Sequence, residues 1–166
     1  MEDDELIQSF RLEAKVYYLT KKGRDWIGSE KEVTKTLQVK HYLMRNDMYI
    51  FLGYPENFKV EFEYRFKGTI NNDEILIKKE MMLRSDGYYI KGNTPHFLEV
   101  DNTQSMKENR KKIELYKHLT TYLSSVNVTP IIVFYTSSDV RQKKLQDYCK
   151  ELGVKAEIYT RKDIRL

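Results

Sequence analysis

The clearest pattern along the chain is the alternation in FKVEFEYRF (58–66), where Phe58, Val60, Phe62, Tyr64 and Phe66 share one side and Lys59, Glu61, Glu63 and Arg65 the other. A period of two marks a half-buried strand. An Asn71, Asn72, Asp73 turn leads into a second strand, EILIKKEMML (74–83). VTPIIVFYT (128–136) is a short unbroken apolar run, as expected of a strand covered on both faces and parallel to a neighbour. VKAEIYT (154–160) reads as the last strand.

Helical spacing appears in three other places. Val33, Leu37, Met44 and Met48, widened by Val39 and Leu43, predict a helix from Val33 to Met48, with Pro55 marking the break beyond it. Ile113, Tyr116, Leu119 and Leu123 predict a helix across 105–125, with Ser105 as its cap. SSDVRQKKLQDYCKELG (137–153) has a serine or aspartate start and a glycine stop. Strand, helix and strand at this spacing form a crossover unit, which requires the two strands to be parallel in one sheet. Further upstream, residues 1–10 read as an acidic lead and RLEAKVYYLT (11–20) as a strand. Thr20 is placed to cap a short helix across Lys21 to Ile27, which Gly28 closes. The order predicts an α/β sandwich with a central mixed sheet.

The stretch LRSDGYYIKGNTPHFLEVDNTQS (83–105) carries the candidate chemistry. Folded as a hairpin with Ile90 opposite Phe97 across a Lys91 to His96 loop, it sets Asp86 opposite Asp101 and Tyr88 opposite Glu99. Asp86, Glu99 and Asp101 then share a face. Carboxylates held this close are best tolerated around a cation or with one of them protonated. Hard oxygen ligands suit magnesium or manganese, the ions that hold phosphate oxygens and activate water. A solvated strand face is the plain alternative.

Composition narrows the setting. A chain of 166 residues suffices for one sizeable domain with an appendage, and a net charge of +4 does not by itself establish a nucleic-acid partner. Local groups such as Arg110, Lys111 and Lys112, or Arg141, Lys143 and Lys144, can touch phosphates or simply cover helices with charge. The single cysteine, Cys149, makes no internal disulfide and no cysteine-rich zinc site, which suits a reducing compartment. No apolar run reaches membrane-spanning length and the start MEDDELIQ is acidic, so a cytoplasmic protein with no membrane partner is expected. His41, His96 and His118 have no metal-type pair spacing, and His41 on an apolar helix face reads more readily as a core or rim residue than as a site residue. Nothing resembles a glycine-rich phosphate loop.

An acid on one strand followed by an acidic strand resembles the PD-(D/E)XK nuclease superfamily, with Asp86 and Glu99 matching its two acids. YYLTKKGRDWIG (17–28), HYLMRND (41–47), LRSDGYYI (83–90), FLEVDNTQS (97–105) and KIELY (112–116) together look like the replication-relaxation family of plasmids and other mobile elements. The resemblance implies a restriction-endonuclease-like domain over 31–166, preceded over 1–30 by the remnant of a winged-helix wing. It implies DNA as partner, with a relaxase or a replication initiator as a further one. Nine or ten lead residues are too few to supply a recognition helix and its support, so sequence-specific reading is not expected of this chain, as a fragment or as a shortened variant.

Two positions depart from the superfamily motif. Ser85 stands in place of proline, and Asp101 stands in place of lysine, whose ammonium neutralises charge in the transition state. Lys112, four residues before Tyr116 on one side of the predicted helix, is the candidate for a moved lysine. The resemblance thus implies Asp86, Glu99 and Asp101 around magnesium or manganese, Lys112 supplying positive charge, and Gln104, Lys111 and Tyr116 lining the substrate side. Glu61 or Glu63 is weighed as an additional ligand against a solvated face. Two readings stay open: a divalent-metal-dependent DNA endonuclease, and an inactive nuclease-fold scaffold that binds DNA or a replication protein.

Overall fold

The computed structural model describes residues 6–30, 32, 38–72 and 75–164. The chain divides into two compact units, Met1–Lys40 and His41–Leu166. In the first, β1 (Ile7–Arg11) pairs antiparallel with β2 (Lys15–Leu19), and α1 (Lys21–Ile27) follows. Thr20 caps α1 by accepting the Gly23 amide at 3.0 Å, and Gly28, at a φ of 69°, closes it, as expected. The acidic lead is shorter than expected. Its acids end at Glu5, and from Ile7 the backbone is paired while Phe10 packs on Tyr18 at 5.6 Å between ring centroids.

The second unit takes in α2 (Gln38–Phe51) from His41 onward, then β3 (Lys59–Asn72), β4 (Ile75–Lys91), β5 (Thr94–Asp101), α3 (Met106–Ser124), β6 (Ile131–Thr136), α4 (Asp139–Leu152) and β7 (Ala156–Thr160). The five strands form one mixed sheet in the order β3-β4-β5-β6-β7. The β3-β4 and β4-β5 pairs are antiparallel, and β5-β6 and β6-β7 are parallel. The parallel crossover through α4 is the one predicted from the strand, helix and strand read at 128–136, 137–153 and 154–160, with β6 beginning three residues later than the apolar run.

Alternation along β5 and β6 assigns their side chains to two cores. Phe97, Ile132 and Phe134 join Ile113, Tyr116 and Leu119 of α3 and Leu145 and Cys149 of α4. Leu98, Val100, Val133 and Tyr135 face the other way, onto Met44 and Met48 of α2 and Ile164. Helices therefore cover both faces, and each fully buried large apolar side chain contributes about 1.5–3 kcal/mol relative to exposure. Met44 and Met48 lie on the predicted inner face of α2, while Leu43 is exposed and the Val33 to Leu37 part of that prediction lies outside the described residues. No helix among the described residues is long and apolar enough to cross a membrane.

Two expectations are corrected in the antiparallel half. The second strand read at 74–83 and the first arm of the hairpin are not separate: they run together as one strand, β4 (Ile75–Lys91), so Asp86 lies well inside a strand. Its turn to β5 is also tighter than expected. Lys91 pairs with Thr94 and Tyr88 with Phe97, a shift of two residues from the Ile90 to Phe97 register. Gly92 supplies the positive φ (60°) of the tight turn. A shift of two keeps every side chain on its face but brings Glu99, not Asp101, to the level of Asp86.

Candidate active site

The site lies where the sheet opens. Pairing of β4 with β5 ends at Gly87 and Leu98, and beyond it stand Asp86 and Glu99. Gly87 allows the strands to close up to that point, since a Cβ there would meet Phe58 Cζ at 2.5 Å. The Val100 amide, past the last β4 partner, donates to Asp86 Oδ2 at 2.7 Å. A side chain has taken the acceptor role of a strand.

On the other side of β4 the ladder also lapses. Between the pairs Val60–Gly87 and Phe62–Ser85 stand Glu61 and Asp86, and Glu61 has a φ of 50°. Left-handed backbone in a non-glycine strand residue carries strain. It also reverses the facing of β3, which corrects the expected single apolar side. Phe58 packs with the α2 core, whereas Phe62, Tyr64 and Phe66 pack with the α3 core. Both irregularities converge on Asp86.

Each helical layer sends side chains into the opening. From α2, His41 Nε2 lies 3.1 Å from Asp86 Oδ1. From α3, Lys112 Nζ lies 3.2 Å from Glu99 Oε2 and donates to the Arg84 carbonyl at 2.5 Å. Tyr116, one turn further along α3, donates its hydroxyl to Glu99 Oε1. Burial pushes the Glu99 carboxyl up to about 7, against the attraction of Lys112 and with the charge of Asp86 adding to the rise. Burial would also raise Asp86, but the hydrogen bonds from His41 and Val100 outweigh it and hold Asp86 below the ordinary carboxylate value. Two neighbouring acids thus differ in proton affinity, a pattern frequent at functional sites.

Of the residues expected here, Asp86, Glu99 and Lys112 come together. Asp101 shares the Glu99 side of β5 but is engaged elsewhere. Its Oδ1 accepts from Asn109 Nδ2 at 2.8 Å and Arg141 Nη2 at 2.5 Å, and its Oδ2 from Thr136 Oγ1 and Arg141 Nε, both at 2.7 Å. Four donors fill its acceptor positions, which leaves no room for the expected metal-ligand role without displacing Arg141. Tyr116 is wholly buried, so it positions Glu99 instead of lining a substrate surface. Lys111 pairs with Glu108 at 3.0 Å and borders a separate cleft of about 370 Å³ with Glu80, Met82 and His118. Gln104 gives its carbonyl to Arg141 at 2.5 Å and is not brought to Asp86. Glu61, weighed as an additional ligand, lies between Arg84 at 3.1 Å and Arg45 at 4.0 Å.

His41, Arg45 and Arg84 near the acid pair, and Asn109 and Arg141 around Asp101, are the contacts that sequence reasoning missed or ranked low. His41 and Arg45 stand at i, i+4 among the apolar positions of α2, and a charged residue at that spacing on a buried face was the available signal. Among the described residues no three His, Cys, Asp or Glu side chains form a metal-ligand group. The Asp86 and Glu99 pair nevertheless has the donor chemistry for a magnesium-like ion, which commonly takes one or two carboxylates and completes its shell with water and phosphate oxygens. A buried carboxyl raised to about 7 beside a second acid is one that a cation would relieve. Comparison with family models, with curated proteins and with solved structures finds no match for this chain.

Proposed function

We propose that the protein acts on DNA as a divalent-metal-dependent nuclease of the PD-(D/E)XK kind, serving the replication or relaxation of a plasmid or other mobile element in the cytoplasm. The observation that carries this reading is the placement of Lys112 Nζ 3.2 Å from Glu99, with Asp86 on the adjoining strand. Two acids and an ammonium at a sheet opening reproduce the acid, acid and lysine chemistry of the motif, with the lysine delivered from α3. Asp86 and Glu99 would hold magnesium or manganese, which would polarise the phosphate and lower the pKa of an attacking water. Lys112 would offset negative charge developing on the phosphate. His41 holds the Asp86 carboxylate by its outer oxygen. The biological setting, with a relaxase or a replication initiator as partner, rests on the short stretches of the sequence that resemble the replication-relaxation family.

A second reading has its own support. The motif position of lysine is taken by Asp101, locked to Arg141, which favours a scaffold that keeps the fold without the chemistry. Incubating supercoiled plasmid with the protein and manganese, beside an Asp86→Ala, Glu99→Ala double variant, separates the two. Nicking or linearisation that the double variant lacks supports the nuclease. Calorimetric manganese binding without cleavage supports the scaffold, and the absence of both overturns the metal site.

A further inference from the structure

We propose that Arg45 and Arg84 form a phosphate-binding subsite beside Asp86, and that the Glu61 carboxylate occupies it until a phosphate oxyanion displaces it. The site adjoins the acid pair but uses none of its members. It deepens the proposed function by naming how a substrate strand would be held next to the reacting position, and in that respect it rests on that reading.

Arg45 carries the inference. It is only 9% exposed, and its Nε has no hydrogen-bond partner among the described residues. Its nearest acid, Glu61, lies 4.0 Å from Nη1, beyond hydrogen-bond range, and its guanidinium otherwise rests 5.2 Å from the centroid of the Tyr42 ring. A buried guanidinium has five N–H donors to satisfy, and leaving it poorly paired costs stability. A buried group left unpaired in this way calls for an explanation, and a ligand that pairs with it is one.

Glu61 is suited to leave. Its side chain is 37% exposed, its backbone sits at a φ of 50°, and its carboxylate meets Arg84 Nη2 at 3.1 Å while only approaching Arg45. The Glu61 carboxylate faces two guanidinium groups, those of Arg84 and Arg45. A tetrahedral phosphate offers more acceptor oxygens than a carboxylate and matches the guanidinium fork.

The position fits a strand that also reaches Asp86. Glu61 stands opposite Asp86 across β3 and β4, between the pairs Val60–Gly87 and Phe62–Ser85. His41 and Arg45, one helical turn apart, meet Asp86 and Glu61 respectively. Two successive positions of α2 therefore address two facing positions of the sheet, one acidic and open to a cation, the other rich in cationic groups.

The test uses the full chain and duplex DNA in EDTA, followed by fluorescence anisotropy, so that neither metal nor cleavage enters. Glu61→Gln removes the competing anion without changing size, and Arg84→Gln removes the more exposed cation; thermal unfolding of both confirms the fold. Glu61→Gln should tighten DNA binding by roughly three- to tenfold, and Arg84→Gln should weaken it by a similar factor and reduce the salt slope by about one. Unchanged affinity in both variants, or weaker binding by Glu61→Gln, would overturn the subsite. Inorganic phosphate titrated against the bound DNA distinguishes the sources. Competition that Glu61→Gln sharpens shows a site for phosphate as such, and tightening without competition shows one for the phosphodiester strand. A protein that never cuts DNA yet shows these shifts keeps the subsite and loses the nuclease; one that cuts with both variants binding normally does the reverse.

Discussion

Asp86 accepts the Val100 backbone amide through one carboxylate oxygen at 2.7 Å and meets His41 through the other at 3.1 Å. One oxygen therefore completes the sheet, while the other belongs to the site. Asp86→Ala orphans a partly buried amide and should cost about 1–3 kcal/mol as well as abolishing manganese binding. Asp86→Asn keeps an acceptor for Val100 without the charge. It should recover most of that stability in urea denaturation while still failing to bind manganese in calorimetry; equal destabilisation by both would mean that the charge, not the amide contact, holds the strands.

Glu99 makes stability depend on pH in an unusual direction for an acid. Its folded value is raised to about 7 from an ordinary 4.5, so the folded state holds the proton more tightly than the unfolded chain. Stability should fall as pH rises from 4.5 to about 7, by up to roughly 3 kcal/mol, and stay low above that. Glu99→Gln should flatten this decline in urea midpoints compared at about pH 5 and pH 8. Manganese competes with the same proton, so its affinity for the unaltered protein should increase across that interval. A wild-type stability that rises toward neutral pH by the same amount in both proteins would remove Glu99 as the source.

Much of the architecture is legible in the chain because local chemistry agrees with tertiary packing. Thr20, Ser105, Ser138, Gly28 and Gly153 all cap where capping preference puts them, and the apolar run at 128–136 contains β6, which is parallel to both its neighbours. The candidate site is less legible because it consists of departures from regularity. Perfect alternation in 58–66 gives no hint that Glu61 adopts a left-handed conformation and turns the strand over. The hairpin register depends on a two-residue turn at Gly92 and Asn93, which the apolar pattern alone does not distinguish from a longer loop, because a shift of two preserves facing. Asp101 looks like a third ligand from alternation alone, and alternation gives no sign that Arg141, forty positions away, holds its carboxylate.

Lys112 is the side chain whose loss should separate chemistry from metal binding. It lies partly exposed between Glu99 and the Arg84 carbonyl, so removing it costs little packing. With Lys112→Met, DNA cleavage should fall by about 10²–10³, the order seen when one charge-stabilising donor is lost. Manganese affinity should hold or increase, since a cation that competes for Glu99 has gone. Parallel loss of manganese binding and cleavage would instead make Lys112 a support for the acid pair.

Asp101 and Arg141 test whether the motif's lysine position has been converted to structure. Asp101 is almost wholly buried, and burial alone would raise its pKa, yet the hydrogen bonds from Arg141, Asn109 and Thr136 lower it. An acid lowered in the fold contributes stability above its ordinary value of 3.8, lost as pH drops through the folded value. Arg141→Ala should cost about 3–5 kcal/mol because it leaves a buried carboxylate with two neutral partners. Asp101→Asn in that background should recover part of the loss, since the stranded charge is gone, and a double-mutant cycle on urea midpoints measures the coupling. The folded double variant should still bind manganese as the unaltered protein does, because the four donors around Asp101 belong to β6, α3 and α4 and none reaches Asp86. Loss of manganese binding in that variant, with the fold intact, would return Asp101 to the ligand set and require Arg141 to move when the ion enters.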